Sequence, residues 1–196
     1  MVRVAKPEDR QYAASESASD GAGKTGGPTE YAASESASVM VRVAKPEDAA
    51  MLAKLRFDLR ASLHELREEE AAFVERCTSW MRERLSERGS WRCWIAEREG
   101  VIVGSEREIV GSVWVQLVEK IPNPIAAPEC FVYLTNFYVQ PEQRSQGIGS
   151  QLLAEALSWS RSNDAELVLL WPTERSKTLY ERHGFEPADD FMELFL

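Results

Sequence analysis

The chain is short of cysteine, of net positive charge and of long apolar runs, and each shortage argues against a class of function. Cys77, Cys93 and Cys130 are odd in number, widely spaced and without a Cys-x-x-Cys pair. A disulfide scaffold and a cysteine-held metal are therefore not expected, and reduced thiols packed inside a cytoplasmic protein are the reading. Lys and Arg number 23 against 32 Asp and Glu, a formal charge of −9, so the clustered cations that hold a nucleic-acid backbone are missing. No nucleic-acid partner is expected, and the acidity mildly favours a cationic one. No apolar stretch reaches transmembrane length, and residues 1–39 have no signal-peptide core, so no membrane partner is expected either.

What remains is enough for one ordinary domain. With 196 residues and 44% hydrophobic content, the chain can bury a single α/β core. Its start is unusual: Met1 to Asp9 recurs identically at Met40 to Asp48, and Tyr12 to Ser19 recurs at Tyr31 to Ser38. The two offsets differ, which excludes a solenoid of constant period. Residues 1–39 are read as a disordered leader or duplicated extension, because Ala, Ser, Gly and Glu dominate it and bury too little surface to order a chain. The second copy runs into Ala49-Ala-Met-Leu52 and is expected to supply the opening strand of a domain over 40–196.

A further duplication lies inside that domain, where Ile102-Val-Gly-Ser105 is repeated as Ile109-Val-Gly-Ser112. Only one copy can pair with the strand near Trp91 and run on into Val113 to Val118, so irregularity is expected near 100–108. The remaining pattern predicts a strand at 41–44, helices near 46–67 and 70–87, strands near 91–98 and 109–119, and a proline-rich loop at 121–128. A strand at 166–171, a short helix near 174–182 and a final strand near 190–196 close the chain. Leu52, Leu55, Leu59, Leu63 and Leu66 form a stripe at helical steps, which is a core face.

The most informative stretch is Tyr133 to Leu153. A β-rich run from Phe131 to Val139 ends at Pro141, and Ile148, Leu152, Leu153, Ala156 and Leu157 then recur at helical spacing. Between them, Gly147 and Gly149 lack a Cβ, so backbone N–H groups at a helix start can approach an anion such as a diphosphate. A dinucleotide fingerprint is disfavoured, since Leu152 stands where its third glycine belongs. Gly21-Ala-Gly-Lys-Thr25 only mimics a P-loop, because its first glycine would fall on Ala18.

Arg144-Ser-Gln-Gly-Ile-Gly149 has the form Arg/Gln-x-x-Gly-x-Gly/Ala, and here the chain resembles the GNAT superfamily of acetyl-CoA-dependent N-acetyltransferases. Thr178-Leu-Tyr-Glu-Arg-His-Gly-Phe-Glu-Pro187 is similar to that family's late helix and Gly-Phe turn. The resemblance covers roughly Val41 to Leu196. It implies a mixed α/β, three-layer fold with a central, mostly antiparallel twisted sheet of about six to seven strands flanked by about four helices. It also implies acetyl-CoA as co-substrate, no metal, and a small-molecule or peptide amine as acceptor. Homodimers through terminal strands are frequent among relatives, and Phe191 to Leu196 alternates into an apolar edge.

The resemblance assigns the CoA diphosphate to the backbone of Arg144, Ser145, Gln146, Gly147, Ile148, Gly149 and Ser150. It assigns the pantetheine arm to the backbone of Phe137, Tyr138 and Val139, which would also help polarise the thioester. Tyr180 matches the family's general acid toward the departing thiolate, and a phenol with a pKa of about 10 is protonated at neutral pH. Relatives often carry Asn and Ala seven and four residues before that tyrosine; here Thr173 and Ser176 stand there, and the Thr173 hydroxyl can still bond the pantetheine.

No carboxylate lies within Tyr133 to Val139, so the general base is not evident. Glu129 is the nearest upstream acid, and Asn136 and Thr135 are polar candidates to hold a water chain. Glu65, Glu68, Glu69 and Glu70 could attract an amine, although a carboxylate run at a helix junction is usually a solvated face. Trp171 and Trp114 could wall the cleft, with packing as the default. His64 and His183 have no triad or metal partner in sequence. The expected activity is acetyl transfer to a primary amine by direct attack in a ternary complex. The alternatives are transfer of a longer acyl group and a non-catalytic acyl-CoA-binding module.

Overall fold

The computed structural model describes residues 39–86, 89–98, 108–188 and 192–194. Five strands form one sheet in chain order: β1 (Val39–Val43), β2 (Trp91–Arg98), β3 (Glu108–Glu119), β4 (Cys130–Val139) and β5 (Val168–Leu169). The first four pair antiparallel, and β5 pairs parallel to β4. Helices α1 (Ala49–Ala61) and α2 (Glu70–Ser86) cover one face; α3 (Ile148–Ser162) and α4 (Lys177–Arg182) cover the other. The expected mixed α/β three-layer architecture is present, with five strands among the described residues rather than six or seven. Residues 1–38 of the leader and the first Ile-Val-Gly-Ser copy lie outside the described residues, as does most of the proposed last strand; Val39, assigned to the leader, begins β1, and residues 192–194 are not in a strand.

The second copy of the repeated opening forms β1, against β2. The second Ile-Val-Gly-Ser copy forms β3, with Ile109 opposite Glu97 and Ser112 opposite Ile95. Between Ala96 and Glu97 the register shifts by one residue on β3, which places a bulge at Val110 beside the duplicated segment.

Helix α1 stops at Ala61, earlier than the leucine stripe predicts. The Ser62 hydroxyl donates to Leu59 O at 2.7 Å and the Leu63 amide donates to Arg60 O, a tighter closure that turns the chain out of the helix. Leu52 and Leu55 are buried and Leu59 packs beside them, while Leu63 and Leu66 belong to the connection that follows. In α3 the predicted face holds throughout: Ile148, Leu152, Leu153, Ala156 and Leu157 are all buried against the sheet.

Strand β4 contains the feature that shapes the site. Ser112 opposes Tyr138 but Trp114 opposes Thr135, so β4 carries one extra residue across this interval. Asn136 takes up the bulge with φ of 48°, in the left-handed region. An added residue reverses the inward and outward alternation of a strand. Val132 and Leu134 accordingly pack toward α3, whereas Tyr138 packs toward α1 and Phe137 and Val139 take over the α3 side.

Candidate functional site

Parallel pairing between β4 and β5 is confined to Val132 with Val168 and Tyr133 with Leu169. Beyond that point the strands part, and a cleft of about 460 Å³ opens between them. Its walls are the bulged end of β4, the turn and first residues of α3, the Trp171–Ser176 segment, α4 and the last turns of α1.

The turn before α3 has an anion-binding backbone. Ser145 and Gly147 both have positive φ, 61° and 81°, and Gly147 caps the helix. The helical ladder begins with the Gln151 amide donating to Gly147 O at 3.1 Å, so the amides of the first turn lie outside it and the helix dipole points at the cleft. A Cβ at Gly147 would meet nothing within 4 Å; its glycine answers to backbone conformation. Gly149 is different, since a Cβ there would touch Leu179 at 3.4 Å and Phe137 at 3.7 Å on the cleft floor.

Arg144 ties this turn to the strand: its Nε–H donates to Val139 O at 2.9 Å, and its guanidinium lies 5.6 Å from the Tyr138 ring centre. Burial, and then the neighbouring Arg175, lower the Arg144 pKa from its ordinary value. Two cations held this close, one partly desolvated, favour an anion between them.

Tyr180 is 7% exposed, with its ring 6.1 Å from Phe137 and 5.5 Å from Phe185. Burial raises its pKa well above the ordinary phenol value, so the hydroxyl at the cleft stays protonated across the physiological range. Thr173 and Ser176 cap the short turn leading into α4: the Thr173 amide donates to Ser176 Oγ at 2.9 Å, and the two hydroxyls are 3.0 Å apart.

The structure brings most of the sequence candidates to this one cleft. Asn136, Phe137, Val139, Thr173 and Tyr180 line it, as do Arg144, Ser145 and Gly147 through Ser150. Tyr138 does not, because the bulge turns its side chain to the α1 layer. Gln146 is exposed, with its amide donating to Glu142 O. Glu129 precedes β4 at the opposite end of the strand, about 23 Å from Asn136 at the rise of an extended chain. Its carboxylate accepts from the Asn123 amide, so it does not reach the cleft.

Two other candidates, the acidic run and Trp114, take their default roles. Glu68 and Glu70 are paired with Arg76 and Lys54 on the surface, and none of the acidic run lines the cleft. The cleft is instead cationic: Arg56, Arg60, Arg144, Arg175 and Arg182 line it, with Glu193 the one carboxylate among the described residues. Trp114 is buried on the other face against Trp80 and Trp91, whereas Trp171 does reach the cleft, edge-on to Tyr133 with its indole N–H donating to Glu193. His183 sits at the end of α4, its Nδ1 2.8 Å from Leu179 O.

The arginines were missed in sequence because they are interleaved with structure-bearing residues. Arg56 and Arg60 flank Leu55 and Leu59 on α1, and only a helical projection would have placed them beside the stripe. Arg56 Nη1 lies 3.4 Å from Asn136 Oδ1, which sets its guanidinium at the β4 bulge.

The chain belongs to the GNAT acetyltransferases: the family model for the acetyltransferase (GNAT) domain matches residues 89–187. Solved structures share the fold. A GCN5-related N-acetyltransferase from Ralstonia eutropha JMP134 is 22% identical, with a TM-score of 0.63 over 81% of this chain and 99% of that one. A predicted acetyltransferase from Clostridium acetobutylicum, solved with acetyl-CoA, is 20% identical, with a TM-score of 0.65 over 80% and 96%. An aminoglycoside N-acetyltransferase in complex with CoA is 16% identical, with a TM-score of 0.57 over 81% and 94%. No curated protein sequence matches the chain. Among the described residues no group of His, Cys, Asp and Glu could hold a metal, and no helix is long and apolar enough to cross a membrane.

Proposed function

We propose that this protein transfers an acetyl group from acetyl-CoA to a primary amine by direct attack in a ternary complex. The observation that carries the reading is the pairing, in one cleft, of a left-handed turn and helix start backed by Arg144 and Arg175 with a buried, protonated Tyr180. Two similar folds were solved with acetyl-CoA or CoA, which supports the same co-substrate here.

The residues present suit such a donor. The amides from Ser145 to Ser150, with Arg144 and Arg175, meet the chemistry of a diphosphate. Phe137 and Val139 border the cleft where β5 has ended, and Phe137 and Leu179 supply an apolar floor for the pantetheine arm. Acetyl-CoA supplies the activated thioester. The amine nitrogen bonds to its carbonyl carbon, the C–S bond breaks, and the nitrogen releases a proton to water.

Tyr180 then hydrogen-bonds the sulfur. A phenol whose pKa is raised by burial is a weaker acid than a thiol near 8.5, so its contribution is a hydrogen bond to the developing thiolate rather than complete proton transfer. Solvent delivers the final proton.

The test is calorimetric titration of acetyl-CoA into wild type and Gly147→Trp, with thiol release measured over a panel of amines. Micromolar binding lost in the variant, together with turnover of at least one amine, is expected. Absence of binding by folded wild type overturns the reading. Binding without turnover on any amine would support an acyl-CoA-binding module instead.

A further inference from the structure

Resting on that reading, we infer that the acceptor is a monoamine whose nitrogen is borne on a short chain from an aromatic ring. The ring is received between Tyr133 and Trp171 on one side and Leu59 and Leu63 on the other. Strand alternation divides the cleft into two halves. Val132 and Leu134 on β4, with Val168 and Leu170 at β5, pack among the α3 residues and Tyr180, on the side of the diphosphate turn. Residues at the alternate positions therefore face the α1 side. Tyr133 and Trp171 stand at such positions and both line the cleft, their rings meeting edge-on at 5.3 Å and 74°.

Leu59 and Leu63 close this half from α1 and the connection after it. The Leu63 and His64 amides both donate to Arg60 O, which continues the turn far enough to keep Leu63 on the side of Leu59. All four side chains are half-buried, neither lost in the core nor fully open to water. The donor half has its own apolar floor in Phe137 and Leu179. A second apolar wall, on the opposite side of the sheet, suits the body of the acceptor.

An edge-on aromatic pair offers a third ring the same edge-on or offset geometry, with centroids about 4.5–7 Å apart. Trp171 is anchored by its indole N–H bond to Glu193 and by further contacts. Those bonds fix the wall, and the occupant uses its ring surface rather than a hydrogen bond. Tyr133 precedes Asn136 at the β4 bulge by three residues, about 10 Å on an extended strand. A ring beside Tyr133 would thus carry its nitrogen toward the thioester at the bulge. A polyamine brings several cations instead, and the described residues of the cleft include a single carboxylate to meet them.

The experiment compares amines in the thiol-release assay with acetyl-CoA: phenethylamine with ethylamine, phenylpropylamine with propylamine, and spermidine as the polycation. Peptide amides beginning with phenylalanine or alanine form a second arm, which separates a free amine from a chain end. The aromatic member of at least one pair is expected to have a kcat/KM about tenfold or more above its partner, the scale on which an apolar pocket discriminates. Trp171→Ala and Leu63→Ser should remove most of that preference, chiefly through the amine's KM, and Trp171→Phe should restore part of it. Leu63 lies outside both core clusters, so its variant decides should Trp171→Ala fail to fold.

Equal or better use of ethylamine, propylamine or spermidine overturns the inference while leaving acetyl transfer intact. A loss of acetyl-CoA affinity by calorimetry as large as the loss in the amine's KM would put these walls in the donor half, and overturns it too. Should no amine turn over, N-phenethylacetamide and N-ethylacetamide are titrated into the protein with CoA present. Tighter binding of the aromatic product by about tenfold, weakened in Leu63→Ser, supports the ring site. Equal binding, or none, overturns it.

Discussion

The Phe137 ring lies 6.1 Å from the Tyr180 ring at a tilt of 59°, so the residue that follows the β4 bulge supports the phenol that faces the cleft. Because Tyr180 is both packed and polar, its two roles separate by substitution. Tyr180→Phe keeps the ring and is expected to hold thermal stability and acetyl-CoA affinity. It should lower kcat on the order of 10²-fold, the usual contribution of one positioned hydrogen-bond donor to developing charge. Tyr180→Ala additionally loses about 3 kcal/mol of folding stability by analogy with other buried aromatics. Urea unfolding and thiol-release kinetics on the two variants measure the split.

The pH profile follows from the same burial. The folded pKa of Tyr180 is raised above the unfolded value of about 10, so its contribution to stability is complete below pH 10 and is lost as pH rises toward the folded value. No alkaline fall in kcat below about pH 10 should arise from this phenol.

Much of this was legible in the chain, for identifiable reasons. The α3 face could be read because Ile148, Leu152, Leu153, Ala156 and Leu157 keep helical spacing with no polar interruption. The anion turn could be read because Gly147 stands where φ is positive. The end of α1 could not, since the leucine stripe runs on through Leu63 and Leu66 and the local hydrogen bonds of Ser62 leave no periodic signal. The side-chain reversal at Asn136 was equally hidden: one residue in the left-handed region turns Tyr138 away from the cleft, and no pattern in Tyr133 to Val139 announces it. Glu129 was chosen for its closeness in sequence, but on an extended strand closeness in sequence becomes distance.

The two glycines of the turn should respond differently to alanine. At Gly147, φ of 81° imposes a backbone cost of about 1–2 kcal/mol on any residue with a Cβ, although the space is open. At Gly149, the new methyl would make ordinary contacts with Leu179 and Phe137, and removing a helical glycine adds about 0.4–1 kcal/mol. Urea unfolding should therefore place Gly147→Ala below wild type and Gly149→Ala level with it or above. Equal destabilisation of both would refute the conformational argument.

Arg42 on β1 bridges Asp48 and Glu97, which are each 8% exposed, with Nη1 2.8 Å from Asp48 Oδ2. Arg42→Ala removes the cation that two buried carboxylates share and is expected to cost about 3 kcal/mol at neutral pH. Burial pushes the Asp48 pKa up, but hydrogen bonds from Arg42 and the Lys45 amide outweigh it and hold the pKa below the usual carboxylate value. A depressed folded pKa gives stability that is complete above about pH 4 and is lost as pH falls through the folded value. The gap between wild type and Arg42→Ala should thus be widest at neutral pH and narrow below pH 4, as read by thermal melts across that range.

Arg175 tests the electrostatics of the phosphate end without touching the fold's core, because it is exposed on the turn before α4. Arg175→Glu replaces the cation beside Arg144 with an anion and should weaken acetyl-CoA binding about tenfold at low salt, the worth of roughly 1.4 kcal/mol of charge interaction. Raising ionic strength shortens the screening length to about 3 Å at 1 M, so the gap from wild type should shrink with added salt. Calorimetry at about 0.01 M and about 1 M salt measures it. A salt-independent loss would mean that Arg175 shapes the turn and not its field, and an unchanged affinity would place the diphosphate on the backbone amides and Arg144 alone.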